Sequence, residues 1–358
     1  MARTLMKGTE AIAEAAIQAG CKYFFGYPIT PQNEIPEYMS AHLPKVGGTY
    51  LQAESEIASI NMVMGGASTG YRVMTTSSSP GISLMSEGIS YIAMAELPCV
   101  IINISRGGPG LGNILPAQGD YRQATSGGGH GDYNIVVLAP GNLQEAVNFT
   151  QDAFDLSQKY RTPVLVLADG FMGQMMEAVE ISPRRTEAPS SNADWALGWW
   201  DERGGRHATI YSMQLDPDAL EAHDTHLQEK YARIRASEAR FEALMVDDAE
   251  LVLTAYGTTS RVCRSAIGNL RAEGYKVGMI RPLTLWPFPS AGYADLPKSV
   301  KGILDVEMSA AFQMLDDVRL ASLCDLPIAT TGRWGGFSPS VRQIEDKCKE
   351  LLKKQGGA

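Results

Sequence analysis

A threonine held between two prolines, two glutamates separated by one residue, and an arginine that opens a glycine-dense run are the residues of this chain best suited to act on a small anion. The first lies in FFGYPITPQNE, Phe24 to Glu34, where an apolar run stops at Gly26 and turns through Tyr27, Pro28, Ile29, Thr30 and Pro31. Pro28 holds the residue before it extended, Thr30 suits a helix N-cap and Pro31 a first helical position, so the stretch predicts a stiff strand-to-helix corner. At the carboxyl end of a parallel strand, such a corner offers helix N–H groups to an anion. From spacing alone, a threonine that merely caps the helix serves equally well.

In LQAESEIASINMVMGGAS, Glu54 and Glu56 stand at the start of an otherwise apolar helix. An acid there complements the helix dipole, which accounts for at least one of the two; the other can be a buried acid facing a bound group. The next segment, TTSSSPG from Thr75 to Gly81, sets Ser78 and Ser79 in a hydroxyl-rich loop between strand and helix, either lining a site or serving as turn chemistry. The third run, SRGGPGLGNILPAQGDYRQATSGGGHGDY from Ser105 to Tyr133, is far longer than the usual connection of about four to six residues, and loops of that kind are commonly functional or disordered. Arg106 directly follows an apolar strand, so its fork can reach a carboxylate above the sheet or enter a surface salt bridge. His130 can carry a proton, or simply stand exposed among the glycines.

These glycines make no nucleotide cradle: Asn113 follows Gly108 and Gly110 where G-x-G-x-x-G needs glycine, and no Gly-Lys-Ser/Thr occurs. The 358 residues carry a net charge of −9 without the clustered Lys and Arg that nucleic-acid binding requires. No apolar run approaches the roughly 20 residues of a membrane span. Glu10 and Glu14 interrupt the N-terminal MARTLMKGTEAIAEAAIQAG, which reads as an amphipathic helix rather than a targeting peptide. The scattered Cys21, Cys99, Cys263, Cys324 and Cys348 form no CxxC pair, so the expectation is a reduced, cytoplasmic chain without its own zinc or iron–sulfur site.

The elements that must position these residues are also legible. Apolar runs at Lys22–Phe25, Arg72–Thr76, Cys99–Ser105, Ile135–Leu138 and Pro163–Ala168 alternate with helical periodicity, and Asn142 with Glu145 forms a capping box opening a helix through Tyr160. Strands apolar at every position indicate a parallel sheet covered on both faces, so residues 1–180 are expected to form a doubly wound α/β domain. Residues 181–249 shift to Pro, Ser, Gly and charge and read as a linker. It runs into a helical stretch whose Leu220, Leu227, Tyr231, Ile234, Phe241 and Met245 are expected to make one buried face rather than a coiled coil. His207, His223 and His226 fall there and are expected to be solvated. From 250 to 358 a second alternation, with ELVLTAYG, YKVGMIRP, KGILDVEM and LPIATT as strands, predicts a smaller α/β domain.

Together, MKGTEAIAEAAIQAG, GYPITP, ESEIASINMVMGGAS, SSSPGISLMSEGISY, RGGPGLG and GGGHGDY resemble the α, or pyrimidine-binding, subunit of the 2-oxoacid:ferredoxin oxidoreductases, thiamine-diphosphate enzymes of anaerobic metabolism. The likeness covers nearly the whole chain. The run from RGGPGLGN through QGDY to GGGHGDY looks most like the branched-chain type, which acts on 2-oxoisovalerate. This resemblance implies a pyrimidine-binding domain followed by one like the transketolase C-terminal domain. It also implies coenzyme A-dependent oxidative decarboxylation of a 2-oxoacid to acyl-CoA, carbon dioxide and reduced ferredoxin.

Residue roles follow from the same likeness. Thr30 and Arg106, with Pro28 and Ile29, are expected at the substrate's carboxylate and keto group, and Gly26, Tyr27, Ser78 and Ser79 around the cofactor. A carboxyl in a dry cleft is expected to share its proton with N1′ of the aminopyrimidine. In related enzymes nine residues separate that acid from a helix glycine, which fits Glu56 with Gly65 and leaves Glu54 in reserve. The cofactor superfamily seats its metal with Gly-Asp-Gly and a later Asn; Ala168–Asp169–Gly170 with Asn192 is the nearest approach here and is rejected as a metal motif. The resemblance therefore places the diphosphate half, Mg2+ and 4Fe–4S clusters on partner subunits. A β subunit, γ and ferredoxin-like δ subunits, and ferredoxin as acceptor are the expected partners, and the chain alone is expected to be inactive. VEMSAAFQM keeps Glu307 and Met308 but lacks the Gly-Gln pair common in the family, leaving coenzyme A contacts there open. No second basic residue stands out for a distal carboxylate, which disfavours 2-oxoglutarate. That substrate, an aryl 2-oxoacid, or a non-catalytic assembly role are the alternatives.

Overall fold

The computed structural model describes residues 3–126, 128–182, 194–197, 207–323 and 325–356, and within them the strands form three sheets. A small antiparallel pair joins β1 (Thr4–Lys7) to β8 (Met176–Val179). The main sheet runs β6 (Val136–Leu138), β7 (Pro163–Asp169), β5 (Cys99–Ser105), β4 (Val73–Ser77), β2 (Tyr23–Gly26), β3 (Thr49–Gln52), all parallel. Every residue of β4, β5 and β7 is buried, which is why β5 and β7 read as unbroken apolar runs. The second sheet is β14 (Ile328–Gly332), β13 (Ile303–Glu307), β10 (Leu251–Thr254), β11 (Val277–Pro282) and β9 (Phe241–Leu244), parallel except for β9.

Helices α1 (Gly8–Gln18), α2 (Glu34–His42), α3 (Glu56–Ser68), α4 (Pro80–Met94), α5 (Tyr121–Thr125), α6 (Leu143–Tyr160) and α7 (Gly170–Gln174) accompany the main sheet. α1 packs on α2 and α6 while α3 packs on α4, two separate groups, as a doubly wound arrangement requires. Asn142 caps α6 as expected, its Oδ1 accepting from Glu145 N at 2.9 Å; the returning Glu145 carboxylate accepts from Gly141 N at 2.8 Å, one residue earlier than in a standard capping box. Beyond the main sheet come α8 (Pro217–Glu238), α9 (Thr259–Ala272), α10 (Ala291–Ala294), α11 (Leu315–Ala321) and α12 (Val341–Gly356).

Several features depart from the sequence reading. The first described element is a strand, Thr4–Lys7, and the helix starts only at Gly8. β3 escapes notice because it is short and largely exposed. The apolar stripe is partly helical: α8 buries Leu227, Tyr231 and Ile234 on one face and leaves Leu220 exposed. The helix ends at Glu238, so Phe241 belongs to β9 and Met245 lies past it. A further strand, β12 (Thr284–Trp286), comes from beyond residue 250 yet pairs antiparallel with β6 of the main sheet, Thr284 opposite Leu138 and Trp286 opposite Val137. It covers what is otherwise the open edge of β6. The Tyr231 ring meets Trp286 edge-on at 5.7 Å, so α8 packs against that added strand. Cys21, Cys99, Cys263 and Cys348 are buried and unpaired, while Cys324 lies outside the described residues. Burial pushes the thiols of Cys21, Cys99 and Cys348 up to about 12 and raises that of Cys263 as well.

The seam between α3 and α4 has no spare room. A Cβ on Gly88 would stand 2.5 Å from Ile60 Cγ2 and 2.9 Å from Cγ1. Gly88→Ala is therefore expected to destabilise the protein by about 1–3 kcal/mol through overpacking, although alanine is the better helix former. Thermal unfolding checks this, and an unchanged or raised midpoint would contradict so close a seam.

Candidate functional site

The carboxyl ends of β2, β4 and β5 lie side by side, since β4 pairs with both β2 and β5. From β2 the chain winds outward to β3 on one side, and from β4 outward to β5 on the other. Open α/β sheets bind ligands at such a reversal. The three stretches singled out in the sequence leave the sheet here: Gly26 to Pro31 after β2, Ser78 and Ser79 after β4, and Arg106 after β5.

The corner after β2 is tightly held, but Thr30 does not cap a helix. α2 begins at Glu34 without a side-chain cap. A turn intervenes, closed by Gln32 N to Ile29 O at 3.0 Å and Ile35 N to Gln32 O at 2.9 Å, so Pro31 precedes the helix instead of opening it. The Thr30 hydroxyl accepts from Asn33 Nδ2 at 3.4 Å. The strut of the corner is Gln32, which is fully buried. Its Oε1 accepts from Thr76 Oγ1 at 2.6 Å and its Nε2 donates to Tyr27 O at 3.3 Å, tying the turn to β4. Pro28 is exposed, and Ile29 and Thr30 are half-buried.

Ser55 caps α3, its Oγ accepting from Ala58 N at 3.1 Å. Glu54, just outside the helix, is exposed, whereas Glu56, the first helical residue, is 6% exposed. Glu56 lies against the start of α4. A Cβ on Gly81 would stand 2.7 Å from Glu56 Oε1 and 2.0 Å from Ser77 Oγ, so this approach requires glycine. Gly65, nine residues on, faces open space. The hydroxyls of Thr75, Ser77, Ser78 and Ser105 are buried without a hydrogen-bond partner. Leaving such a group unpaired costs roughly 1–3 kcal/mol, so the orphan Ser77 hydroxyl, which meets the Glu56 carboxyl at Gly81, marks a seat for another molecule's polar atoms. An acid and neighbouring hydroxyls are a donor and acceptor set that fits an aminopyrimidine ring, with its basic nitrogen and exocyclic amine.

Arg106 is 8% exposed and meets no acid among the described residues, so it is not the surface salt bridge that the sequence also allowed. Nη1 donates to Thr30 O at 2.8 Å and Nη2 to Leu111 O at 3.1 Å, while Nε is buried and unpaired. The Arg106 backbone N–H donates to Ser79 Oγ at 2.9 Å. Ser79, at a φ of +20° that side chains rarely adopt, is itself fastened. Its Oγ donates to Asp120 Oδ2 at 2.6 Å and its N–H to Asn103 Oδ1 at 3.1 Å, and Asn103 Nδ2 donates to the same Asp120 oxygen at 2.8 Å. A cleft of about 660 Å3 opens alongside, lined by Ser79, Arg106, Gly108, Asp120, Met308 and Trp334 among others. A larger groove of about 1070 Å3, between α8 and the Leu285–Phe288 turn, contains none of the expected site residues.

The glycine-dense loop is pinned by the second sheet. Gln118, 3% exposed, donates from Nε2 to Tyr256 O at 2.9 Å and accepts at Oε1 from Thr259 Oγ1 at 2.9 Å and Met308 N at 2.8 Å. Asp169, of the rejected Ala-Asp-Gly motif, accepts from Phe171 N at 2.9 Å, Met172 N at 3.2 Å and the Thr258 hydroxyl, and burial raises its carboxyl above the usual range. It caps α7 and joins the two sheets; Asn192 lies outside the described residues. Among the described residues no three His, Cys, Asp or Glu side chains gather as a metal site. His130 is exposed, its ring 6.5 Å from that of Tyr91. His223 bonds Met94 O at 2.9 Å and His226 meets Glu96 at 3.2 Å. Sequence reasoning overlooked Gln32, Asn103, Gln118 and Asp120. Asn103 carried a signal, a polar side chain inside the otherwise apolar CVIINIS strand.

Residues 14–243 match the family described as pyruvate flavodoxin/ferredoxin oxidoreductase, thiamine diP-bdg, and residues 249–344 match pyruvate:ferredoxin oxidoreductase core domain II. The chain is 48% identical over 351 residues to the ketoisovalerate oxidoreductase subunit VorB of Methanothermobacter thermautotrophicus, covering 98% of both. It is 40% identical over 317 residues to the 2-oxoglutarate synthase subunit KorA of Methanocaldococcus jannaschii, covering 83% of this chain and 85% of that one. Among solved structures, the 2-oxoglutarate:ferredoxin oxidoreductase from Magnetococcus marinus, with 2-oxoglutarate, coenzyme A and succinyl-CoA bound, aligns with a TM-score of 0.86 at 29% identity, over 97% of this chain and 65% of that one.

Replacing Gln118 by Ala strands a carbonyl, a hydroxyl and an N–H in the interior, at roughly 1–3 kcal/mol each. A drop in thermal midpoint and faster proteolytic cutting between Arg106 and Tyr133 are the expected results. Wild-type resistance to both would show that the loop is held elsewhere.

Proposed function

The chain belongs to the pyruvate flavodoxin/ferredoxin oxidoreductase family of thiamine-diphosphate enzymes, and from that premise we propose that it is the pyrimidine-binding α subunit of an oxidoreductase for branched-chain 2-oxoacids such as 2-oxoisovalerate. The reaction is coenzyme A-dependent oxidative decarboxylation, yielding acyl-CoA, carbon dioxide and two electrons for ferredoxin. The observation that carries the site reading is the joint between Arg106 Nη1 and Thr30 O, which brings the two expected substrate residues together at the strand ends, while Glu56 is buried against Gly81 at the start of α4.

Thiamine diphosphate, when bound, supplies the reactive carbon and the electron sink. Glu56 would serve as the acid–base partner of the aminopyrimidine, with Gly81 leaving the approach to its carboxyl open and the unpartnered Ser78 hydroxyl available to the ring. Gly26, Tyr27 and Ser79 border that seat. Arg106 and Thr30 hold the 2-oxoacid by its carboxylate and keto oxygen, with Pro28 and Ile29 shaping the corner. Because these donors are set by the sheet, they need not reorganise as charge develops, which is how preorganised polar groups lower a barrier.

Mg2+ and the 4Fe–4S clusters belong to partner subunits, a diphosphate-binding β subunit with γ and ferredoxin-like δ subunits, in a cytoplasmic assembly. The reading is supported by relatives that are named as subunits. No described helix is long and apolar enough to cross a membrane. The branched-chain choice rests on the higher identity to the ketoisovalerate subunit. It also rests on the cleft, where Arg106 is the one cation among the described lining residues and none remains for a distal carboxylate.

The co-purified complex is expected to reduce a viologen fastest with branched-chain 2-oxoacids and coenzyme A; equal or better rates with 2-oxoglutarate or an aryl 2-oxoacid would overturn the substrate assignment. Within that assay, Glu56→Gln is expected to lower kcat by roughly 100-fold or more. Glu54→Gln is expected to leave most of the activity, and the reverse pattern would move the proton role to Glu54. Arg106→Lys, which loses the fork, is expected to raise KM for the 2-oxoacid by roughly tenfold or more.

A further inference from the structure

One buried carboxyl group is used by nothing described so far. Asp305 on β13 is fully covered, and both its carboxyl oxygens lack a hydrogen-bond partner. Two residues on, and so on the same face of the strand, Glu307 is fully covered as well. Its two oxygens accept the backbone N–H of Gln313 at 3.0 Å and of Met314 at 2.9 Å. Burial first, then the neighbouring Glu307, push the Asp305 carboxyl well above its ordinary range, and burial raises Glu307 to about 7. Both shifts favour the neutral form, which keeps two like charges from meeting in the dry interior. The other ionisable groups facing it are Tyr256 after β10, Cys263 of α9, Tyr293 of α10 and Arg319 of α11.

What Glu307 holds is a turn, and that turn holds the loop of the substrate site. Gln313, whose N–H it binds, donates from Nε2 to Gly119 O at 2.8 Å and accepts at Oε1 from Arg122 N at 2.8 Å. Met308, next to Glu307, exchanges two bonds with Gln118: Gln118 N to Met308 O at 3.0 Å, and Met308 N to Gln118 Oε1 at 2.8 Å. Between these anchors stands Asp120, which fixes Ser79 and Asn103, and Ser79 in turn accepts the backbone N–H of Arg106.

We propose that Glu307, backed by Asp305, is a positioning residue for the 2-oxoacid: it sets the 308–314 turn, which through Gln118, Asp120 and Ser79 sets Arg106. The inference rests on Arg106 as the partner of the substrate carboxylate. Ionised Glu307 offers two full acceptor oxygens to its two N–H donors, and protonated Glu307 gives one of them up. The grip therefore tightens as pH rises through about 7. Global stability moves the opposite way. The folded pair retains protons that the unfolded chain releases, so this contribution to stability falls as pH rises from the ordinary carboxylate range to the folded value. A merely structural role would give only the second trend.

The test uses the complete complex, with 2-oxoisovalerate, coenzyme A and a viologen, from about pH 6 to about pH 8 across the titration. In the wild type KM for the 2-oxoacid is expected to fall severalfold over that range. Glu307→Gln is expected to raise KM by roughly 3- to 10-fold, the worth of about one hydrogen bond, and to flatten its pH profile while kcat at saturation stays within about twofold. Asp305→Asn, which keeps the shape and adds no charge, is expected to keep the wild-type profile. Should Glu307→Gln fail to assemble, Gln313→Ala cuts the same relay at the surface and is expected to raise KM alike. A wild-type KM in Glu307→Gln or Gln313→Ala, or loss of kcat with KM unchanged, would overturn the proposal. Arg106→Lys run in parallel separates the two readings: an unchanged KM there sinks the role of Arg106 itself, whereas a raised KM there with a wild-type Glu307→Gln sinks only the positioning role.

Discussion

The guanidinium of Arg106 is fastened by two backbone carbonyls and, among the described residues, by no acid. Had a carboxylate paired with it, the positive charge would be quenched before any ligand arrived. Neutral acceptors instead fix the direction of the fork and leave its charge available, in a place too dry for solvent to screen it strongly. The carbonyl of Thr30 is one of those acceptors, so the turn after β2 and the residue after β5 share one geometry. Gln32, bonded to both Tyr27 and Thr76, keeps that turn from drifting relative to β4. On the proposed reading, substrate specificity begins with this small set of bonds between three strand ends.

The second sheet is part of the same construction. The segment that follows its strand β11 supplies β12 to the edge of the main sheet, and Gln118 and Asp169 bond across the junction. α8 packs where the two meet, its Tyr231 against Trp286. A loop as rich in glycine as residues 105–133 has little intrinsic preference for one conformation, so its order must come from such outside contacts.

Where the sequence was informative, the physics was local or strongly periodic. β5 and β7 are buried throughout and stood out as apolar runs; Asn142 stood out because a cap acts on its own helix. The choice between Glu54 and Glu56 was not local. Both acids suit a helix start, and only the placement of α3 against α4 decides that Glu56 turns inward toward Gly81. Thr30 misled because Thr-Pro before a carboxylate imitates a helix entry, whereas a separate turn around Gln32 intervenes. β12 was invisible because three residues carry no period, and its partner lies more than a hundred residues away. Asp120 and Gln118 were hidden among glycines, where nothing nearby marks a polar side chain as buried.

The four described cysteines lie out of reach and far from ionising near neutrality. Oxygen and peroxides attack thiols through the thiolate, so these sulfurs are poor targets. If the assembled enzyme proves to lose activity in air, these four buried sulfurs are not where the damage begins.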